Sequence, residues 1–278
     1  MQSGSVLYVG TGVWQTNSNL MKPTVIALDK NTGAERWRAV LDSQPGNGGV
    51  RGVIMDGSRI ICTGYVNNPD PGFLFVADAA TPAVWELDTA GKLVKENLLE
   101  VEGVGQGAKI RKDKTSGYVM TSTAWAELGG QEVNHVAVVK LSSSLDVEWS
   151  KLYGMAGGHS QVFDMLVDRD GNYLMGGHTT VGSGVVNWDY LALKVNSNTR
   201  DVEWRKTFGQ PRGFDPRYIH DEMYGVALDP AGNYLLLGGS GDEYEYSAVN
   251  STTGWDSDTW VSYLVVLDSK VRIVHIYM

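Results

Sequence analysis

Apolar positions along this chain fall into short runs, and one kind of run returns five times. Each is an apolar triplet followed by small residues: Leu7-Tyr8-Val9-Gly10-Thr11, Ile60-Ile61-Cys62-Thr63-Gly64, Tyr118-Val119-Met120-Thr121-Ser122, Tyr173-Leu174-Met175-Gly176-Gly177 and Leu235-Leu236-Leu237-Gly238-Gly239. Their first positions are spaced by 53, 58, 55 and 62 residues. A short apolar run without alternation, bounded by turn residues, predicts a strand buried on both faces. Polar turns precede it, as in Asp168-Arg169-Asp170-Gly171-Asn172 and Asp229-Pro230-Ala231-Gly232-Asn233, where Asp, Gly, Pro and Asn suit a hairpin. A third strand follows, such as Val25-Ile26-Ala27-Leu28-Asp29 or Leu264-Val265-Val266-Leu267-Asp268. A second turn, Asp29-Lys30-Asn31-Thr32-Gly33, leads to a fourth strand. That strand alternates, as in Val202-Glu203-Trp204-Arg205-Lys206-Thr207-Phe208, which predicts one exposed face. A tryptophan keeps the same step at Trp37, Trp149 and Trp204, with Lys95 and Val274 in the second and fifth copies.

Four short antiparallel strands per unit, repeated without a helical stripe, predict an all-β fold: a five-bladed β-propeller of four-stranded blades. The approximate blades are 1–42, 43–100, 101–154, 155–209 and 210–278, forming a single domain over 1–278. The first copy begins at its second strand, so blade one is expected to lack its innermost strand. An open blade of this kind belongs to a fragment of a longer chain, or to an edge that something else covers. Strand-mediated self-association is one such cover.

The ending Trp204-Arg205-Lys206-Thr207-Phe208-Gly209 and the turn Gly232-Asn233-Tyr234-Leu235 resemble bacterial-type propeller repeats that carry a tryptophan and a Lys-Thr-Phe-Gly ending. The stretch from Ala27 to Trp37 is similar to the tryptophan-docking repeat of pyrroloquinoline-quinone propellers. These resemblances imply that Trp37, Trp149 and Trp204 are wedges between blades, and that the protein is extracellular or periplasmic. They imply no pyrroloquinoline quinone, because the size and paired cysteines of those enzymes are missing and Cys62 stands alone. They specify a scaffold, which does not by itself specify a function.

Composition narrows the partners. A net charge of -9 without a basic stripe argues against nucleic acid. No apolar run approaches a membrane span, so no membrane insertion is expected, and no signal-peptide pattern opens the chain. Cys62 is expected to be a small buried hydrophobe.

Blade geometry sorts the connections into two sets. One set holds short Asp/Gly/Asn turns; Asp168-Arg169-Asp170-Gly171-Asn172 has some character of a calcium loop but lacks its remaining ligands. The other set is long, at 14–23, 65–72, 125–135, 154–161, 178–189, 209–222 and 240–260, and holds His135, His159, His178 and His220. It should surround the mouth of a central channel, where loops carry function. His159, His178, His220, Asp221 and Glu222 are the candidate acid-base groups, and the three histidines are candidate ligands of a divalent metal. Tyr65, Trp125, Asp189, Arg217, Tyr218, Tyr244 and Trp255 are the candidate ligand-binding residues, since aromatic faces and carboxylates suit sugar rings or cationic groups. The function expected first is binding of a carbohydrate, a small polar molecule or a protein at this face. The alternative is a hydrolase or lyase at the channel mouth, against which stands the opposite orientation of neighbours Asp221 and Glu222 on a strand.

Overall fold

The computed structural model describes residues 1–69, 80–101, 103, 105–128, 131–154, 158–180, 188–209, 220–241 and 260–277. These form five four-stranded antiparallel sheets, each an up-and-down meander in chain order, and no helix. The first blade contains β1 (Gln2–Ser3), β2 (Val6–Gln15), β3 (Leu20–Asp29) and β4 (Glu35–Val40). The second contains β5 (Asn47–Asp56), β6 (Arg59–Asn68), β7 (Thr81–Asp88) and β8 (Leu93–Leu98). The third contains β9 (Gln106–Lys112), β10 (Tyr118–Leu128), β11 (Gln131–Leu141) and β12 (Val147–Tyr153). The fourth contains β13 (Ser160–Val167), β14 (Tyr173–Thr180), β15 (Trp188–Val195) and β16 (Val202–Phe208). The fifth contains β17 (His220–Leu228), β18 (Tyr234–Gly241), β19 (Val261–Leu267) and β20 (Ile273–Tyr277). The chain is thus an all-β propeller of five blades. The innermost position of blade one holds only the two-residue β1, which pairs with Val6 and Leu7 of β2.

The chain divides into two compact units, Met1–Tyr153 with three blades and Gly154–Met278 with two. In the first unit Ile60, Cys62, Trp85 and Leu87 of blade two share a core with Tyr8, Val25 and Ala27 of blade one. In the second, Leu174, Tyr190 and Ala192 share one with Met223, Leu236 and Val265. The second strand β14 is covered on both faces, so it is buried along its whole length and its residues do not alternate, whereas β2 and β18 each leave one residue of the apolar run exposed, Val9 and Leu237. Cys62 is fully buried, and burial pushes its thiol far up from the ordinary range.

The small residues after each triplet have a packing cause. A side chain at Gly10 would run into Val50 and Val53 of the next blade, and one at Gly176 into Val226 and Met223. One position later, Gly64, Gly177 and Gly238 each sit against a carbonyl of the preceding strand, where that strand bulges. Blade three keeps the bulge with Ser122, whose hydroxyl donates to the Gln106 carbonyl, and places its glycine on the partner strand as Gly107. The pairing of Gly238 with Met223 matches that of Gly177 with Val162, so the fifth copy begins at Tyr234, one residue earlier than the apolar pattern suggested. A longer apolar run, Leu235-Leu236-Leu237, hid the shift.

The wedge positions also behave as units. Trp37 Nε1 donates to the Thr89 carbonyl of blade two at 3.2 Å, and its ring lies over Gly91. Trp204 of blade four meets Tyr234 of blade five edge-on at 5.8 Å. Lys95 substitutes an electrostatic link for the ring, reaching the Ser144 carbonyl and Asp146 of blade three. Every third strand ends in a side chain that accepts the amides of the following turn: Asp29, Asp88, Ser142, Asn196 and Asp268. Asp168 does the same between the first two strands of blade four, and its other oxygen pairs with buried Lys194 at 2.7 Å. That carboxylate is committed to the hairpin and the ion pair, which accounts for its calcium-loop spacing without a metal.

Candidate functional site

His159, His178 and His220 all belong to the second unit, at the end of the blades that carries the long connections. His159 precedes β13, His178 lies on β14, and His220 opens β17. The His159 amide donates to Thr180 Oγ1 at 2.9 Å and the Thr179 hydroxyl donates to the His159 carbonyl at 2.8 Å, which pins the entry to blade four. The Val226 amide donates to Asp164 Oδ2 at 3.1 Å and ties β17 to β13.

His178 is 3% exposed, and its cross-strand partner is Gln161. Its Nε2 lies 2.8 Å from Gln161 Oε1. An amide oxygen only accepts, so Nε2 carries the proton and Nδ1 keeps a lone pair. Aromatic rings wall this imidazole: Trp188 edge-on at 4.6 Å, Phe163 at 4.8 Å and Tyr224 edge-on at 6.3 Å. Phe163 and Tyr224 themselves meet at 5.1 Å, and the His159 ring lies 6.5 Å from Trp188. Burial, then the charge of His220, lowers the His178 pKa to about 3. Burial also lowers that of His159. His178 is therefore a neutral, fixed imidazole near neutral pH.

On β17 the two-residue period places His220 and Glu222 on one face, and Tyr224 is the extra residue of the bulge between Met223 and Gly225. Tyr224 is 46% exposed and its hydroxyl donates to Glu222 Oε2. Asp221 points the other way and is fully buried. There burial, followed by the Asp221 charge, raises the Tyr190 phenol well above its ordinary pKa, while that phenol donates to the Tyr263 carbonyl at 2.7 Å. The opposite orientation expected of Asp221 and Glu222 is what the strand produces. Among the described residues, no group of three or more His, Cys, Asp or Glu side chains is arranged to hold a metal ion.

The remaining candidates belong to different blades. Asp189 of β15 pairs with Thr179 across the sheet and leaves no room for a side chain at Gly209. Tyr65 belongs to the first unit, 1% exposed, packed with Met21 and Ala80, with the Arg51 guanidinium 5.6 Å above its ring. A ring so enclosed presents no face to a ligand. Trp125 lines a shallow cleft of about 520 Å³ on blade three with Glu127, Ser150 and Lys151. His135, 1% exposed, is on β11 of the first unit, with its Nε2 3.2 Å from the Ala126 carbonyl. Arg217, Tyr218, Tyr244 and Trp255 lie outside the described residues. Gln161, Phe163 and Tyr224 were not singled out from the sequence. The pairing of the first and second strands signals Gln161, whereas Tyr224 is placed by the bulge between Met223 and Gly225, which no local pattern marks.

No protein-family model matches the chain, and no curated protein matches it. Similar solved structures include a hypothetical selenium-binding protein from Sulfolobus tokodaii, at 10% identity and a TM-score of 0.57, covering 98% of this chain and 63% of that one. A Synechocystis apocarotenoid oxygenase matches at 12% identity and a TM-score of 0.49, over 98% of this chain and 57% of that one. An α-L-arabinofuranosidase from Clostridium thermocellum ATCC 27405 matches at 12% identity and a TM-score of 0.48, over 99% and 91%. The chain thus spans less than two thirds of the first two, and the likeness concerns the propeller fold alone.

Proposed function

We propose that this propeller is a binding module whose second unit takes a small polar ligand with a ring face, a carbohydrate being the class that fits best. The observation that carries this reading is the aromatic wall of Phe163, His178, Trp188 and Tyr224, buried at His178 and open to solvent at Tyr224. Such a wall offers stacking area, while Glu222 holds the Tyr224 hydroxyl and supplies a carboxylate beside it. Membership of the tryptophan-bearing bacterial repeat family belongs to the same reading. Hydrolase or lyase chemistry at this face needs a group that exchanges a proton near neutral pH, and His178, held low by burial, is poorly matched to that task.

The test is calorimetric titration with a panel of neutral mono- and oligosaccharides, followed by Tyr224→Ala and Trp188→Ala. A hit should weaken by roughly tenfold or more in each variant, about 1.4 kcal/mol. Binding unchanged in both variants moves the site elsewhere, and sustained turnover of a bound saccharide replaces the binding reading with an enzymatic one.

A further inference from the structure

His178 uses only one of its two ring nitrogens. Its Nε2–H is taken by Gln161 Oε1 at 2.8 Å, a bond set by the cross-strand pairing of β13 with β14. Nδ1 is buried and has no hydrogen-bond partner among the described residues. In the tautomer that Gln161 selects, Nδ1 carries a lone pair and no proton, so it can only accept. A buried acceptor without a donor is costly, and native proteins leave few of them. A phenyl ring would fill the same place beside Phe163 and Trp188, so packing alone does not call for an imidazole here.

Of the rings around His178, Tyr224 reaches farthest into solvent, at 46% exposed against 3% for the histidine. It is the extra residue of the bulge between Met223 and Gly225, and bulges re-aim side chains beside binding sites. Its ring stands edge-on to His178 at 6.3 Å, and turning it aside breaks no strand pair. We infer that His178 Nδ1 is the acceptor that selects the ligand of this wall, taking a hydrogen bond from a hydroxyl on the ligand's ring, with Tyr224 as the gate. The inference rests on the binding reading of the wall and adds which group the ligand must bring. A carboxylate or phosphate oxygen in that place meets a lone pair instead of a proton. A site built around such an acceptor rejects an analogue that lacks the donor far more strongly than one that differs by a methylene. Burial keeps the imidazole neutral near neutral pH, so the lone pair is available there.

The experiment is long-range proton–nitrogen NMR of the whole chain, labelled at its histidines, near neutral pH. The probes are cyclohexanol, its methyl ether and cyclohexanecarboxylate, followed by the neutral saccharides. In the free protein His178 should have Nε2 protonated and Nδ1 bare, the signals being assigned by their absence from His178→Phe. Cyclohexanol should move the Nδ1 resonance saturably, while the ether and the carboxylate should bind roughly tenfold more weakly or less. In His178→Phe the calorimetric preference for the alcohol over the ether should vanish, which a merely structural role would not produce. Should that variant not fold, His178→Gln supplies the comparison, and the wild-type probe series stands by itself. Saccharides that bind without moving Nδ1 overturn this inference and leave the carbohydrate reading in place. Selection of cyclohexanol at Nδ1 with no saccharide bound supports the inference and overturns the carbohydrate reading. A protonated Nδ1 in the free protein, no response of Nδ1 to any probe, or an alcohol preference that survives in His178→Phe overturns the proposal.

Discussion

At the scale of the residue, His178 shows how far an environment can move one side chain. Its Nε2–H is held by Gln161, its ring is enclosed by Phe163 and Trp188, and its pKa falls from 6.5 to about 3. The unfolded chain takes up a proton there as pH falls below about 6.5, whereas the folded chain resists until about 3. Stability is therefore fully present above the unfolded pKa and declines as pH falls through that window. At about 1.4 kcal/mol per pKa unit, the loss attributable to this site is about 3 to 5 kcal/mol. Urea denaturation from pH 7 to pH 4 should show a shallower loss in His178→Gln than in the wild type. Parallel curves would mean that His178 is solvated in the folded protein. The histidine itself was legible in the sequence as a loop-end candidate; its partner Gln161 was not, because only the register of β13 on β14 makes them neighbours.

At the scale of the element, the blade is defined by what small residues allow. Gly177 yields space to the Gln161 carbonyl at the bulge of β13, and Gly64 and Gly238 do the same in their blades. Gly177→Ala should destabilise the protein by about 1 to 3 kcal/mol, the usual cost of forcing volume into a packed place. Chemical denaturation of that variant beside Gly33→Ala, at a solvent-exposed turn of positive φ where an added Cβ would meet no atom within 4 Å, separates packing from backbone strain. An equal loss in both would remove the packing explanation. Pattern reading found the triplets and the turns because both are local, with a period of two or a fixed offset from an Asp or Asn. It misplaced the start of the fifth copy because three successive leucines satisfy the triplet in either frame, and only the bulge at Met223/Gly225 selects one.

At the scale of the whole molecule, the outer strands differ in how they meet solvent. The first four carry charges, including Arg36 and Arg38 on β4, Lys95 and Glu96 on β8, Glu148 and Lys151 on β12, and Glu203 and Lys206 on β16. β20 is Ile273-Val274-His275-Ile276-Tyr277, exposed throughout, with no charge from Lys, Arg, Asp or Glu. Charged side chains are a usual guard on edges, and this strand has none. Self-association through β20 is the expected outcome at micromolar concentration, read by sedimentation velocity, and Ile276→Lys should shift the protein towards monomer. A wild-type chain that is monomeric throughout that range would rule out strand addition here.

The sequence by itself determined the all-β class, the five repeats, the hairpin turns and the places of Trp37 and Trp204, because each is written in residues close along the chain or at a fixed period. The tertiary structure decided which histidine is buried beside an aromatic wall and that Asp221 and Glu222 face different surroundings. It also set His178 across from Gln161 and left Nδ1 without a hydrogen-bond partner among the described residues. Those are meetings between strands of different blades or hairpins, set by register, bulges and the close approach that glycines permit, and no local pattern encodes them.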